Sequence, residues 1–135
     1  MCSRGFTLVE TAVVLAVVAV ATASVASALG RVAAGARLLG ARNVVATALG
    51  DARRGAYLTA APVAVAVGAG ATTVVIDDGR AARSAELPAG TSVASAPRRG
   101  GVTFRGGGLA DNATVVVASG PVRAAVVVNQ RGRIR

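Results

Sequence analysis

GFTLVETAVVLAVVAVATASVASALG, residues 5–30, decides how the rest of the chain is read. From Thr11 to Gly30 it runs twenty residues without a charge. At about 1.5 Å per residue such a stretch covers roughly 30 Å as a helix, one hydrocarbon thickness of a bilayer. Glu10 stands at its start. A carboxylate at membrane depth costs roughly 2.5–3.5 kcal/mol on insertion scales, and such groups have partners. Any account of the stretch must therefore say what Glu10 does.

Three readings compete. A cleavable secretory signal would use Ala26-Ser27-Ala28 as its small-residue cleavage site and release a small secreted β-protein. Against it, the apolar segment is long for a signal and carries Glu10; a lipoprotein signal fails because Cys2 precedes the apolar run. A plain membrane anchor is the second reading. Arg31, Arg37 and Arg42 follow the span and only Arg4 precedes it, so the positive-inside rule alone would leave the C-terminal part in the cytoplasm. That reading leaves Glu10 unexplained.

The third reading accounts for the whole stretch. Gly5-Phe6-Thr7-Leu8-Val9-Glu10, followed by the apolar run, resembles the processing site of type IV pilins and type II secretion pseudopilins. The resemblance implies that a prepilin peptidase cuts between Gly5 and Phe6 and methylates the new amine. It also implies that Glu10 pairs with the N-terminal amine of a neighbouring subunit during filament assembly. Burying a carboxylate is tolerable when an ammonium group neutralises it, and removing one partner is costly. Arg4 would hold the leader on the cytoplasmic side of the inner membrane, with a single span and the C-terminal domain outside the cytoplasm. Assembly with other pilin or pseudopilin subunits would follow. One departure is that many pilins carry a proline within this helix, whereas here none precedes Pro62; Gly30 is the candidate loosened point.

Composition narrows the chemistry. The 135 residues suffice for one modest core, and with 53% apolar but 2% aromatic residues that core must be built from Val, Ala and Leu. Net charge is +9, and all fifteen basic residues are arginine. Residues 31–54 carry a net +4 and residues 98–135 a net +6. Such a distribution suits a polyanion such as DNA, or anionic lipid headgroups. The plainer explanation is solubility together with an arginine-rich coding bias. Histidine is absent and Cys2 is alone, which removes the usual general base, imidazole metal sites and any intramolecular disulfide. Asp77-Asp78-Gly79 reads as turn chemistry rather than an acid/base dyad. No enzyme, cofactor or metal is expected.

The organisation reads as α+β: a leader over residues 1–5, a membrane and assembly helix over 6–30, its extramembrane continuation over 31–60, and an antiparallel β domain over 61–135. Val32, Leu38, Leu39, Val45 and Leu49 predict an apolar stripe on the helix, which Thr59 to Pro62 ends. Beyond Pro62 the period changes to that of strands. Residues 62–67, 72–76, 102–104, 114–118 and 122–128 are β-rich runs separated by turn residues, 81–87 is the return strand after the Asp77-Asp78-Gly79 hairpin turn, and the last residues form a closing segment. Seven short strands argue for an antiparallel sheet or small two-sheet sandwich against the helix.

Here the resemblance narrows. Val102-Thr103-Phe104-Arg105-Gly106-Gly107-Gly108-Leu109-Ala110 is similar to a hydrophobic-Thr-Phe-x-x-x-Gly-x-Ala/Pro stretch of the GspH/FimT group of pseudopilins. The ending from Val126 to Arg135 resembles that group's closing strand, turn and Gly-Arg-x-Arg. The resemblance implies a minor subunit of a pilus or pseudopilus. In competence-linked members this ending is taken to contact incoming DNA, which makes Arg131, Arg133 and Arg135 the candidate DNA-binding residues here. Guanidinium suits bidentate phosphate contact. Alternatively the arginines blunt an edge strand or pair with acids on the next subunit. With only Tyr57 and Phe104 as aromatics beyond the apolar run, no base-stacking platform exists, so DNA contact would be sequence-independent and salt-steep.

Overall fold

The structure, a computed structural model, describes residues 7–97 and 100–135. Helix α1 spans Leu8–Thr59 and is followed by seven strands: β1 (Val63–Ala66), β2 (Thr73–Asp77), β3 (Ala82–Glu86), β4 (Ser92–Ser95), β5 (Gly101–Phe104), β6 (Ala113–Ser119) and β7 (Val122–Val128). The chain divides into two compact units, residues 1–33 and 34–135.

In the first unit, Thr7 starts the helix. Its carbonyl accepts from Glu10 N at 3.0 Å and Thr11 N at 3.2 Å, and its hydroxyl accepts from Glu10 N at 3.3 Å. Such a side chain occupies one of the donors that a helix start leaves free. Thr11, Thr22, Ser24 and Ser27 turn their hydroxyls onto carbonyls three or four residues back, so no side-chain hydroxyl of the apolar run is left seeking water. This helix is long and apolar enough to cross a membrane, and none of its most apolar window is buried.

In the second unit, the helix buries a stripe of Leu38, Ala41, Val45, Ala48, Leu49, Ala52 and Ala56, spaced by threes and fours. The stripe differs from the one that apolar spacing predicts. Val32 and Leu39 are 69% and 62% exposed, and alanines take their place. Two glycines of the helix let neighbouring side chains come close: Pro88 Cγ lies 3.3 Å from where a side chain at Gly40 would begin, and Val63 Cγ2 lies 3.6 Å from that point at Gly55. The helix stops where Ala60 turns left-handed at φ 52°, while the Thr59 hydroxyl donates to the Gly55 carbonyl at 2.8 Å and accepts from Ala61 N at 3.3 Å.

The strands form two antiparallel sheets, of order β3-β2-β1-β5 and β4-β6-β7. Alternation sets their faces: Val63 and Val65 of β1, Val74 and Ile76 of β2, and Val115 and Val117 of β6 point inward. These residues, with Val93, Val102, Phe104, Val126 and Val128, join the helix stripe in one core. Fold and composition agree: among the described residues Phe104 is the one aromatic in that core, and it is wholly buried. Strand β4 lies where the sequence shows only a turn-rich stretch. It is short, carries one buried residue, Val93, and shifts register between Val93 and Ser95. The closing residues form no strand of their own. They make an isolated bridge, Val128 to Ile134, flanked by reciprocal backbone hydrogen bonds between Val127 and Arg135 at 2.9 and 3.0 Å.

Candidate functional site

Two places carry the residues singled out from sequence. At the first, Glu10 lies in the opening turn of α1, exposed, with its amide held by Thr7. Thr7-Leu8-Val9-Glu10 has the spacing of a capping box, and an acid in the first turn is favoured by the helix dipole. The apolar reading of this stretch misses that local role, although the Thr-x-x-Glu pattern is a legible signal. Gly5 and Phe6 lie outside the described residues.

The second place is built from two turns. In the turn after β5, Arg105 N donates to Leu109 O at 2.7 Å and Gly108 N to Arg105 O at 2.9 Å. Arg105 pairs with Asp111 at 3.0 Å across it, an exposed pair of small energetic weight. Gly106 lies against the Ala60 carbonyl, so close that a Cβ there would stand 2.7 Å from that oxygen. In the turn after β7, Asn129 Oδ1 accepts from Arg131 N at 3.0 Å and Arg133 N at 2.9 Å, and Gly132 N donates to Asn129 O at 2.8 Å. Gly132 is buried and left-handed at φ 68°, and a side chain on it would collide with the Gly108 carbonyl. Ala110 N completes the junction by donating to Gln130 O at 3.1 Å. The two stretches that resemble pseudopilin motifs are therefore adjoining parts of one structure.

The arginines follow from that geometry. Arg133 and Arg135 are exposed and flank Ile134, which packs against the core. Arg131 is exposed on the turn itself. A shallow hollow of about 260 Å³ is lined by Asn112, Asn129, Gln130, Arg131 and Arg133, so it offers amide and guanidinium donors together. Tyr57 is 69% exposed and Phe104 is inaccessible, which leaves no pair of aromatics among the described residues on which bases could stack.

Elsewhere a cleft of about 670 Å³ runs between β1 and β5 on one side and the start of β6 on the other. Its lining is mostly backbone and small side chains such as Ala64, Ala66, Gly101 and Thr114. Asp111 is its one titratable group among the described residues, and Arg105 already engages it. Asp77 and Asp78 serve their turn. Asp77 Oδ1 accepts from Gly79 N at 2.8 Å, and Asp78 Oδ1 accepts from Arg80 N at 2.9 Å and Ala81 N at 2.8 Å.

Comparison with known families bears on the first place. Residues 1–26 match the prokaryotic N-terminal methylation motif. Neither a curated protein nor a solved structure matches the chain significantly. The N-terminal stretch thus carries a prepilin-type motif on a long apolar helix, the arrangement of the type IV pilin-like proteins. It supports a type IV pilin or pseudopilin that is processed by prepilin peptidase and assembles with other pilins, and it suggests a structural subunit. Motif and helix fit a membrane-anchored protein later assembled into a pilus.

Proposed function

We propose that this chain is a minor subunit of a type IV pilus or type II secretion filament, of the GspH/FimT kind. It is held in the inner membrane by its apolar helix, with the strands outside the cytoplasm, until it enters the filament. The observation that carries this reading is the methylation motif standing at the head of a helix that continues without a break into a two-sheet α+β unit. The junction of the Phe104 turn with the Gly132 turn supports the narrower assignment. The peptide bond after Gly5 is cut, Phe6 becomes the methylated N-terminus, and Glu10 pairs with that amine on a neighbour. Intact mass of the protein expressed with a prepilin peptidase tests it. Loss of residues 1–5 with gain of one methyl group is expected; loss of residues 1–28 would turn the reading into that of a secreted protein.

A second reading adds DNA capture for uptake across the envelope. It is supported by Arg131 and Arg133 beside the amide-lined hollow, neither of them in an ion pair among the described residues. Binding to duplex DNA should then be sequence-independent, with a log–log salt slope of about −2.7 if three arginines each meet one phosphate. The full chain in neutral detergent, compared with a variant in which Arg131, Arg133 and Arg135 are changed together to alanine, tests it. A flat salt dependence, or equal binding by the variant, removes it.

A further inference from the structure

Gly108 and Gly132 are both buried although neither has a side chain, and the group that covers them is Arg53 of α1. Its Cγ and Nε lie 3.4 Å from the point where a side chain at Gly108 would begin. For Gly132, Nε lies 3.0 Å and Cδ 3.3 Å from the corresponding point. Arg53 is nevertheless exposed as a residue, so its stem is packed while its charged end reaches water. It makes no ion pair among the described residues. Gly132 separates Arg131 from Arg133, and consecutive Cα atoms are only about 3.8 Å apart. The Arg53 guanidinium therefore leaves the surface within about one residue of both.

We infer that Arg53 is a fourth phosphate-binding arginine of the surface formed by Arg131, Arg133 and Arg135, and that its stem positions the turn that carries them. The inference rests on the DNA-capture reading above. Its physical ground is the crowding of like charges: Arg53, Arg131 and Arg133 converge on one turn, and Asp111, the chain neighbour of Asn112 in the hollow, is engaged by Arg105. Such crowding opposes the fold in the free subunit and is relieved when a polyanion binds. The helix thereby becomes part of the binding surface, and the site spans elements far apart in sequence.

The test uses the full chain in neutral detergent and a fluorescent duplex, titrated by anisotropy at several salt concentrations. Arg53→Gln keeps most of the stem and removes the charge. Its expected effect is weaker binding, with a salt slope shallower by about 0.9, the contribution of one phosphate contact. Arg53→Lys should restore the slope, and the melting temperatures of both variants should stay near that of the unaltered chain. Wild-type slope and affinity in Arg53→Gln, with binding lost in the triple tail variant, would overturn this inference and leave the DNA reading standing. Loss of binding in Arg53→Gln that Arg53→Lys does not repair would reduce Arg53 to a structural role. Absence of binding by the unaltered chain would end both proposals.

Discussion

Glu10 has two roles open to it, and they can be separated. Its place three residues after Thr7 supports the helix start, and its charge suits an ammonium partner in a filament. Glu10→Gln keeps the capping pattern and loses the charge, whereas Glu10→Ala loses both. Membrane insertion and cleavage should survive in both variants, and incorporation into filaments, measured by shearing and immunoblot, should fall in both. Normal incorporation of Glu10→Gln would leave capping as the whole role. Asp78 makes a prediction of another kind. Hydrogen bonds from the amides of Ala81 and then Arg80 hold its carboxyl below the usual aspartate range, helped by the nearby Arg83 and Arg80 charges. A carboxyl depressed in the folded state adds stability above about pH 3.9, and that stability is lost as pH falls through the folded value. The protection of the Arg80 and Ala81 amides, taken relative to the intrinsic exchange rate at each pH, should therefore fall in acid, and Asp78→Ala should show the low protection at every pH.

At the scale of elements, α1 shows how much of the fold is legible in sequence. Length, apolarity and the absence of proline give the helix, the β-branched runs give five of the seven strands, and the Asp77-Asp78-Gly79 turn gives β3 as a return strand. The buried face is another matter. Leu38 and Leu39 are equally apolar neighbours, yet one is 6% and the other 62% exposed, because only one lies on the side turned to the sheets. Alanine gives little signal in a search for apolar residues, and in this chain it supplies most of the stripe. Strand β4 is missed for a related reason: one buried valine among serines and an alanine gives no period to detect. Leu49→Ala should cost about 2–5 kcal/mol, the range for a buried leucine, whereas Leu39→Ala should change stability by less than about 0.5 kcal/mol. Chemical denaturation of the full chain in detergent, followed by circular dichroism, distinguishes them.

Over the whole molecule, one core of valine, alanine and leucine serves both sheets and the second half of the helix, with Phe104 as its single aromatic among the described residues. The candidate site was half legible at this scale. Arg131, Arg133 and Arg135 stand out by charge and spacing, and their alternation about Ile134 follows from strand geometry. That Gly108 and Gly132 touch, and that Arg53 covers them, depends on how distant segments pack, which no local pattern records. The contact has a measurable weight. Gly107 is left-handed but open, so Gly107→Ala should cost roughly the 1–2 kcal/mol of that backbone conformation. Gly132→Ala adds a collision with the Gly108 carbonyl and should lower the melting temperature clearly further. Equal losses would mean that the two turns part easily. The same contact sets terms for descent. In related chains a side chain at either glycine should appear only when the other turn has retreated, so the two turns should change in pairs. The Gly120-Pro121 tip of the β6–β7 hairpin lies at the far end of those strands from the junction. It is free to lengthen or shorten from one descendant to the next.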